Sequence, residues 1–287
     1  MKPARFSTYL LLLTLAGCYK NTDPTATRVA KCPPTIINQV VSSGGGQLSN
    51  LIRHELSYAD NQLTKLLLTQ GTTTQTFQTT YVAGRLTQAS DGTTTFSYMG
   101  GMLAGRPGRI VVGRGGAEQA AYAFTYDPRG RLTTLRETRT VIPPDWYVAA
   151  RDYTFFYNAT GDLISEKGVN TLSDGAVISQ TTAYTVSTTP APLADMTEPA
   201  LLNALALYYR LDALPARYWQ PTSPTRYETT SMGATNTPTV ATRAVLTPRL
   251  GANQRIDSQE VVVSNYPAGS QFPQDRTLVQ TFSYGCF

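Results

Sequence analysis

The chain has 287 residues, of which 41% are hydrophobic, 15% charged and 10% aromatic, and its net charge is +5. Its 43 threonines and 17 tyrosines favour strands, so composition points to a mainly β protein. The charge is mild, +3 once Lys2 and Arg5 leave with the leader described next, which excludes a chain disordered through charge, a multi-pass membrane protein and a nucleic-acid binder held mainly by charge.

Lys2 and Arg5 make a positive start, Tyr9 to Leu15 is an apolar run too short to span a bilayer, and Leu15-Ala16-Gly17-Cys18 follows. This arrangement resembles the lipobox of bacterial lipoproteins. The resemblance implies that residues 1–17 are a signal peptide and that Cys18 becomes the acylated first residue, its two or three chains anchoring the protein to a membrane. The expected location is the bacterial cell envelope, at the outer membrane. Tyr19 and Lys20 signal neither inner-membrane retention nor surface export, so the periplasmic and surface faces both stay open.

Residues 18–35, with Asn21-Thr22-Asp23-Pro24-Thr25 and Pro33-Pro34, read as a tether, and residues 36–287 as a single β domain. Ser42-Ser43-Gly44-Gly45-Gly46 reads as a loop before the first repeat. Two cysteines remain, Cys32 and Cys286. In an oxidising exported compartment, two leftover thiols suggest one disulfide that closes nearly the whole domain as a loop. The alternative is a redox pair, which lacks C-x-x-C spacing.

Residues 50–168 hold a repeated unit. Tyr58 to Leu63, Tyr81 to Leu86 and Tyr98 to Leu103 each read Tyr, two residues, Gly or Asn, one residue, Leu. Tyr126 to Leu132 and Tyr157 to Leu163 carry one extra residue. The spacing predicts a β-hairpin each time. Asn61, Gly84, Gly101, Gly130 and Gly161 would supply the left-handed residue of the turn, and the Leu would be the first inward residue of the return strand. Tyr126-Asp127-Pro128-Arg129-Gly130-Arg131-Leu132 resembles the YD repeat of RHS-type proteins. The whole layout also resembles the repeat-bearing envelope lipoproteins of Bacteroidetes, including a closing Tyr284-Gly285-Cys286. True RHS shells carry far more repeats and enclose a toxin, a role this chain is too short to take.

Residues 176–189 continue as strand. Residues 197–211 then break the pattern, with Thr197 placed to cap, Glu198 and Pro199 in a first helical turn, and Leu201, Leu202, Leu205 and Tyr208 at helical spacing. This predicts one helix near 198–211. Residues 216–247 read as loops with one or two strands, and 259–264 and 277–284 as final strands. The expected architecture is an antiparallel sheet of successive hairpins, curled or half-open, with the helix covering one face. A division into two subdomains near residue 190 is the second possibility.

The chemistry-bearing residues are sparse. The single His54 beside Glu55 fits a general base or one polar position on a strand. Asp60, Asp91, Asp127, Asp162 and Asp174 recur in turns, where such residues serve local hydrogen bonding. A glycan hydrolase using two of them is the enzymatic alternative. The arginine-rich stretch from Arg106 to Arg139 fits either an anionic-ligand surface or a solvated strand face. Trp146, Tyr147, Tyr218 and Trp219 are possible ligand contacts if exposed and core if buried. No catalytic, metal or cofactor motif stands out. The sequence therefore points to a non-enzymatic, lipid-anchored binding or scaffolding module for protein or glycan, with no nucleic-acid partner; a carrier of lipid inside a curved sheet is the further alternative.

Overall fold

The computed structural model describes residues 32–42, 48–100, 106–141, 148–209, 219–230, 239–266 and 274–285. In chain order the strands are β1 (Pro34–Ser42), β2 (Leu48–Ala59), β3 (Gln62–Gln70), β4 (Thr73–Val82), β5 (Arg85–Ser90), β6 (Thr94–Met99), β7 (Arg109–Arg114), β8 (Ala117–Tyr126), β9 (Leu132–Arg139), β10 (Val148–Tyr157), β11 (Leu163–Leu172), β12 (Val177–Ala183) and β13 (Val186–Pro190). After helix α1 (Pro199–Tyr208) come β14 (Trp219–Pro221), β15 (Thr225–Thr230), β16 (Thr239–Leu250), β17 (Ile256–Asn265) and β18 (Gln274–Tyr284). Strands β13 and β14 form a separate two-stranded sheet, and the other sixteen close into one antiparallel barrel.

The closure corrects the expected curled or half-open sheet. β1 pairs with both β2 and β18, through Ile37–Phe282, Gln39–Gln280 and Val41–Leu278 on the β18 side. Pro34 and Thr35, read above as the end of the tether, already lie in β1. Strands from beyond residue 190 complete the same barrel as the repeated hairpins, which leaves no division there. Pairing the first strand with the last removes both exposed edges, the usual liability of a long sheet.

The hairpin motif has a specific geometry. Tyr58 faces Leu63, Tyr81 faces Leu86, Tyr126 faces Leu132 and Tyr157 faces Leu163 across their strand pairs. A register shift directly precedes each of these tyrosines. The extra residue of a bulge sharpens the local twist and turns the tyrosine inward beside its leucine. The short turns at Asp60-Asn61 and Ala83-Gly84 carry two successive positive φ angles, 50° and 61°, then 50° and 75°. Such pairs match the twist of the flanking strands. Gly130 (φ 76°) and Gly161 (φ 97°) close the longer turns, where their N–H groups donate to Asp127 and Asn158. Gly101 lies outside the described residues.

Alternation then sorts the wall. Leu56, Leu66, Leu68, Phe77, Phe96, Ile110, Val112, Tyr122, Phe124, Leu135 and Phe155 point inward and form one apolar core with α1. A smaller cluster of Leu246, Val261, Val263 and Leu278 sits under β16–β18. The helix is therefore inside the barrel, a correction to the expectation that it covers one face of a sheet. Its residues Ala200 to Ala206 are all buried, as required of a helix walled in on every side.

Candidate functional site

The lumenal segment is fastened at both ends. At its start, Arg255 Nη2 donates to Asp195 Oδ2 at 2.6 Å, and the same carboxylate accepts the Cys32 N–H at 3.1 Å. Arg255 also donates to the Cys32 carbonyl at 3.3 Å and lies over the Tyr284 ring. At the helix C-terminus, Arg139 Nη2 donates to the Leu207 and Tyr208 carbonyls at 2.9 and 3.3 Å. A cation there satisfies orphan carbonyls and complements the helix dipole. Arg139 is in turn held by Glu137 (2.8 Å), which also accepts from the Tyr122 hydroxyl and pairs with Arg151 at 3.5 Å. Aromatic contacts complete this end. Tyr208 meets Phe96 edge-on at 5.7 Å, and Tyr209 packs near Phe77 while accepting from Gln75.

The helix start carries a carboxyl in an apolar setting. Glu198 occupies the N-cap without a side-chain capping bond, while Thr197, the expected cap, sits one residue early with its hydroxyl buried and unpartnered. Burial pushes the Glu198 carboxyl up to about 7, and the Tyr81 hydroxyl facing it pulls the other way. Tyr58, Tyr98 and Tyr126 also sense this carboxyl. Three bulged tyrosines, Tyr58, Tyr81 and Tyr126, together with Tyr98, which pairs with Ile110 without a bulge, thus form an arc around one acid. Three tyrosines on the barrel wall also tie their neighbours: Tyr58 donates to the Pro34 carbonyl, Tyr157 to Leu132 and Tyr284 to Ile256. His54 faces inward opposite Leu68 and Ile37, its ring nitrogens unpartnered, and burial lowers it to about 4. It is a neutral wall residue, with no carboxylate bonded to it.

The outward face is polar over most of its circumference. Outward positions include Lys65, Thr69, Thr76, Gln78, Gln88, Thr95, Ser97, Thr134, Arg136, Thr154, Lys167 and Thr181, and Arg136 pairs with Asp152 at 3.4 Å in the open. A membrane-spanning barrel needs the reverse: an apolar outer band about 25 Å tall, with charges costing roughly 2–4 kcal/mol each at its middle. Nor is any helix among the described residues long and apolar enough to cross a membrane.

Exposed Phe156, Val169 and Tyr227 interrupt this polar wall, and two larger features depart from it. At the seam where the barrel closes, Leu51, Val40 and Val279 stand directly opposite one another on β2, β1 and β18. Val262 and Val245 form the next pair on β17 and β16. Leu51 and Val279 are each 40% exposed, Glu260 stands opposite Val279 on β17, and Val262 and the 49% exposed Val245 lie diagonally beyond it, so the seam carries a row of exposed apolar side chains broken by one carboxylate. The second feature is an open groove of about 560 Å³ on β6–β8, lined by Thr93, Thr95, Ser97, Met99, Val111 and Glu118 among others. Its floor is low because Gly113, Gly115, Gly116 and Ala117 carry little or no side chain.

Sequence reasoning did not anticipate Glu198, Glu137, Arg139, Asp195 or the seam patch. In β1 and β18 the outward Val40 and Val279 stand next to the inward Val41 and Leu278, so no alternation set them apart, and the pairing of the two strands is not visible locally. Of the residues singled out for contact, Trp146, Tyr147 and Tyr218 lie outside the described residues, as do Cys18 and Cys286. Trp219 begins β14 opposite Pro190, and only its backbone is described. Cys32 is buried beside the chain end, since the Gly285 N–H donates to the Pro33 carbonyl at 3.1 Å. The turn aspartates are spread among separate loops. Asp91 accepts from Thr93 and Thr94, Asp127 from Arg131, Asp162 from Asn158 and Thr160, and Asp174 from Ala176.

No protein-family model and no curated protein matches the chain. Among solved structures, a porin-like protein from Bacteroides uniformis ATCC 8492 superposes with a TM-score of 0.53 over 89% of this chain and 98% of that one, at 16% identity. A porin-like protein from Bacteroides vulgatus ATCC 8482 covers 88% of this chain and 99% of its own at 14% identity, with a TM-score of 0.41. The first of these likenesses is one of fold: the closed barrel is an architecture this chain has in common with a porin-like protein of Bacteroides.

Proposed function

We propose that this chain is a non-enzymatic cell-envelope protein, a water-facing barrel held to the outer membrane by lipid on Cys18, and that it works by contact as a binding or scaffolding module. The observation that carries this reading is the inverted polarity of the wall, hydroxyl-rich outside and apolar inside around the chain's own helix. A barrel of that polarity is displayed in water, and the likeness to a porin-like protein supports a place in the envelope. The seam residues Leu51, Val40 and Val279, with Val262 and Val245 beyond Glu260, make the surface best suited to a protein partner. The groove on β6–β8, with its hydroxyls, favours a glycan as the second class of partner. A lipid carrier is disfavoured because α1 occupies the lumen, and a glycan hydrolase because Asp91, Asp127, Asp162 and Asp174 sit in separate turns and bond within them.

The reading includes a Cys32–Cys286 bridge, supported by the adjacency of Cys32 to the last described residues. Photo-crosslinking in cells tests the module. A reactive residue at Val279 or Val245 is expected to give discrete adducts, whereas one at Thr76 or Thr134 on the far wall gives none. Equal labelling from both walls would refute the seam as the contact face. Mass spectrometry of the mature chain, reduced and non-reduced, tests the acyl group and the bridge separately.

A further inference from the structure

The tyrosine arc has a use beyond packing. Tyr58 on β2, Tyr81 on β4, Tyr98 on β6 and Tyr126 on β8 each sit at the turn end of a hairpin, so all four lie at one rim of the barrel. That rim is where the lumenal segment begins, and Glu198 enters the arc as the residue before α1. Four phenols face it, and no ion pair to it occurs among the described residues. The nearby charges are committed elsewhere: Arg106 lies over the Tyr126 ring, and Arg255 holds Asp195. The Tyr98 hydroxyl and Thr197 Oγ1 are buried and make no hydrogen bond. This neighbourhood accommodates a neutral carboxylic acid and, beyond the Tyr81 hydroxyl and the helix start, holds no cation to balance a carboxylate.

We propose that Glu198 is a proton-controlled latch on the lumenal helix: with the carboxyl protonated the helix start is seated in the tyrosine arc, and loss of that proton to solvent frees residues 196–202 to open towards water. The unpartnered hydroxyls add to the effect, because an opened arc lets water reach them. The elevated affinity of Glu198 for its proton, with ionisation near neutrality, fits the same geometry. Arg139 keeps the far end of the helix fixed, so the opening is local to the first turns.

Hydrogen exchange of the full chain between pH 5 and 9, corrected for intrinsic rates, tests the latch. An opened Glu198 titrates at its ordinary value of about 4.5. Linkage then makes the opening constant at the Leu202–Ala206 amides rise about tenfold per pH unit from pH 5 to 7 and level off above. The amides of Ile110, Val112 and Tyr122 on the wall are expected to show no such rise. Glu198→Gln is expected to flatten the helix profile while leaving the wall unchanged. Should that variant fail to fold, Tyr81→Phe removes a group that favours the ionised form and is expected to move the plateau to higher pH. A flat wild-type profile, an unshifted Tyr81→Phe plateau, or a rise retained in Glu198→Gln would each overturn the proposal.

Discussion

Gln280 on β18 donates to Gln39 on β1 at 2.8 Å, across the line where the first and last strands of the barrel meet. Gln259 on β17 extends the contact by donating to Gln280, so three amides, two buried and the central one half-buried, cross three strands on the inner face of the seam. The ladder lies between the large core and the small cluster under β16–β18. A one-residue slip of β18 would turn Gln280 outward and put Thr281 or Val279 in its place, which gives the ladder a role in fixing register.

Gln39→Ala is therefore expected to destabilise the barrel by about 1 kcal/mol, because the half-buried amide of Gln280 loses its acceptor. Urea unfolding followed by circular dichroism measures this. Thr76→Ala on the outer wall is expected to fall within about 0.5 kcal/mol of wild type in the same assay.

Arg139→Met removes the bonds to the helix carbonyls and leaves Glu137 with a partly uncompensated charge inside the barrel. A loss of about 3–5 kcal/mol is expected. Adding Glu137→Gln should recover part of it, since the neutral amide no longer needs a cation. A double variant as unstable as the single one would show that Arg139 acts through the helix end alone.

His54 and Glu198 make opposite contributions to the pH dependence of stability. The lowered His54 binds fewer protons folded than unfolded, so its contribution falls as pH drops from about 6.5 to 4. The raised Glu198 binds more protons folded than unfolded, so its contribution falls as pH climbs from about 4.5 to 7. Each spans up to about 3 kcal/mol, and in the wild type the two slopes largely cancel. His54→Leu is expected to leave stability declining from pH 5 to 7, and Glu198→Gln to leave it rising over the same range. Thermal melts at half-unit pH steps read both slopes.

The turn at Ala83-Gly84 places an alanine at φ 50°. Ala83→Asn puts a residue tolerant of that region before the glycine and is expected to stabilise by about 1 kcal/mol. In a protein of this size that is a Tm increase of about 2–4 °C, readable by calorimetry.

The hairpins were legible because their information is local. A tyrosine, a turn residue and a leucine within six or seven positions specify a bulge, a reversal and an inward pair. The closure was not legible, because it rests on β1 meeting β18 from the opposite end of the sequence. β1 itself carries apolar residues on both faces, Ile37 and Val41 inward and Ile36 and Val40 outward, and Pro33 before it and Pro34 at its start read as tether. The helix was found from its leucine spacing, but its place in the lumen depends on what lies between the leucines. Ala200, Asn203, Ala204 and Ala206 are small enough to be walled in on the sides where a surface helix would carry charge. Glu198 looked like a first-turn acid, and only the convergence of four distant tyrosines makes it unusual.

We propose a barrel that stands in water and reaches the membrane through its N-terminus alone. Flotation with phospholipid vesicles, using a chain that begins at residue 19 and so lacks Cys18, tests it most directly. The account predicts a folded, β-rich protein that is soluble without detergent and stays at the bottom of the gradient. A chain that needs detergent to remain in solution, or that rises with the vesicles as an inserted barrel, would contradict it.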